Sequence, residues 1–388
     1  MRVGTLTLHS GYNEGAILQS LALTHAVKDV RSTAEVEIVD HRFPRLVEKA
    51  YGPADNGRKQ ALQAFGDNLP LSPERFVSSG TRQTWDYASG RYDALLVGSD
   101  EVWKVVYRKR FKGLLKLQND PYAPAFPNIF WPDNGVDAVK IGYAATIGAK
   151  TNWLTLPTKV KRMMAEALES FKAIGVRDDR TFDFIGRLSP ALQQKATLTP
   201  DPTFAHPLNR RVDQDALRAK FVAHGVDFGR PRLLVIARRD PRCTVALRKF
   251  KAAGYQTVAL SEANADVDID LSGAAFDPLE WAAAASLFDA CLSERMHGCI
   301  FSLLNGTPVI SLDFRTATMG HRTKNGELYE RTGISAFNVN LSTAATSDIE
   351  AACDKVIAGE WPTETVEGKV ADYRRTGTSF LDANLPQA

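Results

Sequence analysis

Short apolar runs alternate with helix-periodic stretches, twice over and with a proline-rich break between the two series. This constrains the chain more than any other feature. Residues 2–8 are apolar enough for a buried strand, and residues 16–30 then place Ile17, Leu18, Leu21 and Leu23 at helical spacing. Residues 35–40 read as a second strand, with further buried strands over 93–98, 139–145 and 173–177, the last preceded by a helix over 159–171. A strand–helix–strand opening of this length implies parallel strands with a right-handed crossover, and repeated alternation is the doubly wound α/β pattern. The run Thr199-Pro200-Asp201-Pro202-Thr203 cannot continue a helix or a central strand and reads as a linker. Beyond it the alternation restarts, with strands over 232–238, 255–260, 290–293 and 307–312 and helices over 245–253, 278–288 and 298–305. Single cores stop growing at ~250–300 residues, so this chain of 388 is expected to form two Rossmann-like doubly wound domains. The expected division is residues 1–200, residues 201–345, and a tail over 346–388 that packs a helix or two back on the domains. Ligands of open α/β sheets sit beyond the carboxyl ends of the strands, so the two domains are expected to face a central cleft.

Charge narrows the partners. Forty-eight basic and 45 acidic residues leave a net +3, too mild for a nucleic-acid binder, so functional charge must be local. Cys243, Cys291, Cys299 and Cys353 form no Cys-x-x-Cys pair and read as reduced, buried thiols, although Cys291 and Cys299 flank the sharpest motif. The opening residues carry no basic region followed by a long apolar stretch, and no window approaches ~18 apolar residues; the expectation is a cytoplasmic protein. His9, His25, His41, His206, His224 and His321 show no metal-ligand spacing, so neither metal nor cofactor is expected. The glycine patterns of dinucleotide and P-loop sites are absent, as is the Gly-x-Ser-x-Gly elbow.

Three constellations can carry chemistry. Ser293-Glu294-Arg295-Met296-His297-Gly298 stands where a buried strand ends and an apolar helix begins. Free backbone N–H groups there favour an anion, an arginine fork binds carboxylate or phosphate bidentately, and His297 can exchange a proton near neutral pH. The same residues serve equally as a salt bridge between domains and a satisfied polar histidine. Arg177, at the carboxyl end of the strand over 173–177, faces the expected cleft or pairs with Asp178 or Asp179. Ser99 and Asp100 follow the strand over 93–98 into a small polar turn, a pattern that also suits a helix N-cap. A fourth feature is the basic segment 104–116. If helical, it aligns Lys104, Arg108, Lys112 and Lys116 in one stripe beside Tyr107, Phe111, Leu114 and Leu115. Such a helix touches an anionic membrane, grips a phosphorylated acceptor, or is ordinary solvated surface.

Taken together the segments resemble the polysaccharide pyruvyl transferase family. The matching pieces are Asn13-Glu14-Gly15-Ala16-Ile17-Leu18-Gln19, Val97-Gly98-Ser99-Asp100-Glu101-Val102-Trp103, Gly142-Tyr143-Ala144-Ala145-Thr146-Ile147-Gly148, Gly175-Val176-Arg177-Asp178, Asp201-Pro202-Thr203 and Arg295-Met296-His297-Gly298. The resemblance implies a GT-B-like pair of domains and transfer of a pyruvyl group from phosphoenolpyruvate to hydroxyls of a sugar or glycan precursor. The acceptor is free, nucleotide-linked or lipid-linked, and the family's commoner product is a pyruvate ketal, with phosphate released. Arg295 and His297 then match the catalytic motif, and Arg177, Arg295, Met296, His297 and Gly298 the donor site. Asn13, Gln19, Ser99 and Asp100 face the acceptor. By the same resemblance the acceptor side falls on the first domain and the phosphoenolpyruvate side on the second. Two departures stand out: family members often carry glutamate where Asp178 stands, and a shorter segment where residues 104–135 lie. The competing readings are a GT-B-type glycosyltransferase with a nucleotide-sugar donor and a non-catalytic homologue that keeps only ligand binding.

Overall fold

A computed structural model describes residues 1–45, 52–112, 114–120, 123–314 and 320–387, and of these the side chains of 110–112 and 114–116 lie outside the description. The chain forms two compact units: residues 1–53, 66–206 and 373–388 make unit 1, and residues 54–65 and 207–372 make unit 2.

Unit 1 contains β1 (Arg2–Leu6), α1 (Glu14–Val30), β2 (Glu35–Arg42), β3 (Leu71–Val77), β4 (Ala94–Val97), the hairpin strands β5 (Tyr107–Lys112) and β6 (Leu114–Asn119), β7 (Val139–Ala145), α2 (Thr158–Glu169), β8 (Phe171–Val176), α3 (Asp179–Leu188) and β9 (Ala196–Leu198). Seven of the strands make one parallel sheet in the order β3-β2-β1-β4-β7-β8-β9. Both faces of this sheet are covered, which is why its strands read as continuous apolar runs. In β4, Leu95 and Val97 point into one core with Leu6, Trp103 and Phe171. Ala94 and Leu96 point into the other with Val3, Leu23, Ala26 and Val27. Burial of each such leucine contributes roughly 1.5–3 kcal/mol. Phe380, Leu381 and Leu385 from the end of the chain complete the second core.

Unit 2 contains β10 (Arg232–Ile236), α4 (Pro241–Ala252), β11 (Gln256–Ala259), β12 (Ile269–Asp270), α5 (Pro278–Ala284), β13 (Ala290–Ser293), α6 (Met296–Leu304), β14 (Val309–Asp313), α7 (Lys324–Thr332), β15 (Asn338–Asn340), α8 (Thr346–Ile357) and the first part of α9 (Thr363–Asn384). Its six strands form a second parallel sheet, β12-β11-β10-β13-β14-β15. The helix Gly57–Asp67, early in the chain, lies largely in this unit and is tied to it by Arg58 N donating to Gly273 O at 3.0 Å.

Two local expectations change. The segment over 104–116 is an antiparallel hairpin rather than a helix: β5 pairs with β6 from Tyr107↔Asn119 to Lys112↔Leu114. A helix there would start on β-branched Val105-Val106 and carry Gly113 in its interior, both unfavourable. Lys104 falls outside the hairpin and bonds Glu101 at 2.9 Å, so the four-residue stripe does not form. The proline-rich run 199–203 is packed into unit 1 instead of being an exposed connection. Thr199 Oγ1 accepts from Ala144 N at 3.0 Å, and Pro202 opens a one-turn helix capped by Asp201, the one helical position where proline costs nothing. Among the described residues no helix is long and apolar enough to cross a membrane.

Candidate active site

Strand order fixes where each sheet opens. In unit 1 the chain builds outward from β1 through β2 to β3, then returns to place β4 on the other side of β1. In unit 2 it runs from β10 through β11 to β12, then returns to place β13 beside β10. Loops diverge at such reversals and leave a crevice beyond the carboxyl ends of the two strands. Residues 7–13 and 98–101 stand at the first reversal, and residues 237–240 and 294–297 at the second.

At the reversal in unit 2, Ile236 and Ser293 lie side by side at the strand ends. Arg295 occupies the N-cap position of α6, where its side chain makes no capping bond; a guanidinium has no acceptor to offer. Ser293 holds the turn: its Oγ accepts from Arg295 N at 3.1 Å and donates to Arg295 O at 2.9 Å. This packs Ser293 so closely on the helix that a Cβ at Gly298 would lie 2.3 Å from Ser293 Oγ, and only glycine fits. Arg295 stands 3.8 Å from Glu262, beyond hydrogen-bond length, and 5.7 Å from the Trp281 ring centroid. Glu262 follows Ser261, a non-glycine residue at φ +72°; backbone strain of this kind, about 1–3 kcal/mol, gathers at functional sites. Met296 and His297 are half-buried in the first turn of α6. Burial raises the Glu294 carboxyl above its ordinary range, against the pull of Arg238, whose Nε donates to it at 2.9 Å. The cysteines flanking this motif are core residues. Cys291 and Cys299 are 1% and 0% exposed, and burial pushes Cys299 up to about 11, so neither is a ready thiolate.

At the reversal in unit 1, the structure brings Gln19, Ser99, Asp100 and Arg177 together as two hydrogen-bonded pairs joined through the backbone of Ser99-Asp100. Ser99 Oγ donates to Gln19 Oε1 at 2.8 Å, and both residues are fully buried. Asp100 holds φ +76°, and its carboxylate accepts from Arg177 Nη2 at 3.0 Å. Arg177 Nη1 donates to Asp201 Oδ2 at 2.7 Å. Burial works against the Arg177 charge, but the carboxylates of Asp100 and Asp201 outweigh it and hold the guanidinium protonated. Asp178 does not bond Arg177; it caps α3 through Thr181 N at 2.7 Å. Asn13 caps α1, accepting from Ala16 N at 3.3 Å. Asp100 makes no such capping bond for the turn that follows it, its side chain being turned to Arg177 instead.

Sequence reasoning missed two participants. Asp201 stood as part of a linker and of the family piece Asp201-Pro202-Thr203, with no role at the site. His9 follows β1, and its Nε2 lies 3.1 Å from Asp40 Oδ1 in a pair that is 1% and 2% exposed. Asp40 also accepts from Arg42 and Arg75, each at 2.7 Å. Burial would raise the Asp40 carboxyl, but these three donors win and hold it well below the usual range. The available signal was topological: adjacent parallel strands bring their carboxyl ends together, so His9 and Asp40 had to meet. Among the described residues no three His, Cys, Asp or Glu side chains converge as a metal site.

Solved structures share this fold. The UDP-GlcNAc 2-epimerase of Neisseria meningitidis, bound to UDP-GlcNAc, superposes with TM-score 0.53 at 12% identity, over 99% of this chain and 99% of that one. The corresponding epimerase of Methanocaldococcus jannaschii gives 0.51 at 9% identity, over 92% and 93%. At such identities the likeness establishes the fold, two Rossmann-like domains of the GT-B-like class. A search of curated proteins finds no match. The profile of the family described as polysaccharide pyruvyl transferase matches residues 13–314, a span that takes in residues 98–101, 237–240 and 294–297 at the reversals and begins after His9. The chain is therefore a member of the polysaccharide pyruvyl transferase family.

Proposed function

We propose that this protein transfers a pyruvyl group from phosphoenolpyruvate to hydroxyls of a sugar or glycan precursor, forming a pyruvate ketal and releasing phosphate. The observation that carries the reading is the entry to α6, where Arg295 and His297 sit on a helix N-terminus that has no side-chain cap. Phosphoenolpyruvate offers a carboxylate and a phosphate. A guanidinium binds either bidentately, and the N–H groups of Met296, His297 and Gly298 add a positive dipole end. His297 then moves a proton between acceptor hydroxyl and donor methylene. In the ketal both acceptor oxygens bond the central carbon; one hydroxyl proton goes to the methylene, and the other is released with the phosphate, which leaves with the bridging oxygen. Unit 2 is thus assigned the donor and unit 1 the acceptor. Within unit 1, Gln19 and Ser99 are too buried to touch a sugar and support the loop that carries Asp100. Asn13 sets the start of α1. Asp100, with its side chain 19% exposed, is the group offered to an acceptor hydroxyl. A donor anion reaching Arg177 has to displace Asp100, since Asp201 is 1% exposed. The reading includes a cytoplasmic setting and contact of residues 104–116 with an anionic membrane.

A second reading, a nucleotide-sugar donor, is favoured by the fold shared with UDP-GlcNAc 2-epimerases, because the same helix N-terminus suits a diphosphate. Calorimetric titration decides between them. Phosphoenolpyruvate is expected to bind wild type and His297→Ala, and to bind Arg295→Ala at least about thirtyfold more weakly, as for truncation of a buried charged partner. A wild type that binds UDP-N-acetylglucosamine and gives no heat with phosphoenolpyruvate refutes the pyruvyl reading.

A further inference from the structure

Charge in this chain is unevenly placed. Residues 104–119 hold six cations (Lys104, Arg108, Lys109, Arg110, Lys112, Lys116) and residues 150–165 hold four (Lys150, Lys159, Lys161, Arg162), with no Asp or Glu in either stretch. Ten of the 48 basic residues thus sit in 32 positions, leaving 38 against 45 acidic residues elsewhere. A chain of mild net charge is a basic surface on an acidic body.

The fold joins the two stretches within unit 1. Val105 N, at the entry to β5, donates to Thr151 Oγ1 at 3.1 Å. The hairpin register sets Lys109 opposite Leu117 on one face and puts Arg108, Arg110, Lys112 and Lys116 at positions of the other, so cations stand on both faces of the ribbon. Arg108, Lys109, Lys150, Lys159 and Arg162 are exposed. Local acids engage part of the rim: Arg108 pairs with Asp120 at 2.6 Å and Arg162 with Glu166 at 3.5 Å. Apolar side chains stand among these cations, Leu117 across from Lys109 in the hairpin and Leu154 between Lys150 and Lys159 in the chain. Leu154 is 78% exposed and Leu117 38%, and Trp153 lies half-buried beneath Lys161 Nζ, 4.2 Å from its ring centroid.

We infer that the β5–β6 hairpin and the segment 150–162 form one surface that docks on an anionic phospholipid bilayer. A bilayer interface is the partner that accepts both halves of this surface. Its headgroups attract the cations, while the apolar boundary beneath them takes Leu154, Leu117 and the tryptophan edge. A nucleic acid would satisfy the charge and leave the two leucines in water. The docking extends the membrane contact proposed above from one segment to two, and it stands independently of the donor chemistry, since no donor residue takes part.

Vesicle sedimentation of the full chain tests the inference, with phosphatidylcholine vesicles against phosphatidylcholine containing about one-third phosphatidylglycerol. Binding is expected only to the anionic vesicles, falling with salt. Each neutralised cation should weaken it about fivefold, so Lys109→Gln with Lys150→Gln and Lys159→Gln should lower partitioning about a hundredfold. These side chains are exposed, so the melting temperature should hold. Leu154→Ser leaves the charge intact and should also weaken binding. No binding to anionic vesicles, or equal binding by the triple variant, overturns the proposal. So does tighter binding to a single-stranded RNA oligonucleotide that Leu154→Ser leaves untouched, which would make the surface a nucleic-acid site. A failure of phosphoenolpyruvate to bind would leave these outcomes unchanged, which separates this proposal from the donor reading.

Discussion

Gly298→Ala puts the geometry of the α6 entry to a quantitative test. The added methyl would stand 2.3 Å from Ser293 Oγ, 3.2 Å from Ile236 Cδ1 and 3.3 Å from Ser293 Cβ. Ser293 Oγ cannot swing aside freely, because it bonds both the N–H and the carbonyl of Arg295. Two effects oppose each other. Alanine is the better helix former by about 1 kcal/mol. Overpacking costs about 1–3 kcal/mol, and giving up the two serine bonds costs about 1 kcal/mol each. The clash should win, with a net loss of about 1–4 kcal/mol and a fall in melting temperature of roughly 3–12 °C for a unit of this size. If α6 shifts instead, Arg295 and His297 move with it, and a displacement near 1 Å lowers turnover about a hundredfold.

Scanning calorimetry, run beside turnover and ligand titration, reads both effects. The decisive comparison is the double variant Ser293→Ala with Gly298→Ala. It removes the 2.3 Å contact and leaves only contacts that a few tenths of an ångström relieve, so it should recover most of the ligand affinity lost in the single variant. A Gly298→Ala protein that melts at or above wild type would mean that helix propensity alone governs the position. A double variant no better than the single one would refute the serine contact as the cause.

Other outcomes follow from buried charge. Asp201→Ala should cost about 3–5 kcal/mol in urea unfolding, since it strips one of two carboxylates from a guanidinium that is 8% exposed; Arg177→Met added to it should return part of the loss. Stability should fall as pH drops from about 6.5 to about 4, because burial holds His41 at about 4, while its proton is taken up near 6.5 when unfolded. The shift corresponds to about 3 kcal/mol, and His41→Gln should flatten that part of the stability–pH profile. The low-lying Asp40 carboxylate adds a separate loss, beginning only as pH falls below the ordinary aspartate range. Native protein should resist iodoacetamide at neutral pH, with mass spectrometry showing four modified cysteines only after unfolding, because all four thiols are buried and burial raises each of them.

The inner strands of both sheets were legible because burial on two faces writes itself as an uninterrupted apolar run, as in Ala94-Leu95-Leu96-Val97, whereas the edge strands β3, β9, β12 and β15 were not read. Helix α6 was legible from its apolar stretch, and Gly298 from its place at the turn. The hairpin was not. Cations four residues apart share a helix face, but four is also a multiple of the strand period, so the spacing of Arg108 and Lys112 fits either form. Prolines misled in a similar way: Pro202 was read as a break, yet proline at the first position of a helix is a start signal. Partners of Arg177 were hidden for another reason. Asp100 and Asp201 lie 77 and 24 residues away, and only the strand order that puts β4, β7 and β8 side by side brings them together. Local sequence offered Asp178, which the chain uses for a helix cap.

The two reversals share one architecture and differ in charge, and the difference bears on the division of labour. At the ends of β4 and β8 in unit 1 a single buried guanidinium meets two carboxylates, Asp100 and Asp201, a locally negative setting. In unit 2, Arg238, Arg239, Arg242 and Arg295 surround the starts of α4 and α6, with side chains 59%, 68%, 44% and 17% exposed. The carboxylates bonded or close to them, Glu294, Asp266, Asp240 and Glu262, are each more buried than their arginine partners except Glu262. An incoming anion therefore meets cations and two helix dipoles in unit 2, and a carboxylate edge in unit 1 that suits hydroxyls better than phosphates. This supports the donor in unit 2 and the acceptor in unit 1. It also marks Glu262 as a carboxylate that competes with a donor for Arg295, from 3.8 Å. Glu262→Gln should therefore tighten phosphoenolpyruvate binding severalfold in calorimetric titration, by removing a half-buried but long ion pair of about 0.2–1 kcal/mol, while leaving the melting temperature unchanged. A weaker affinity in that variant would mean that Glu262 orients Arg295 for the donor, and the assignment of competition would be wrong.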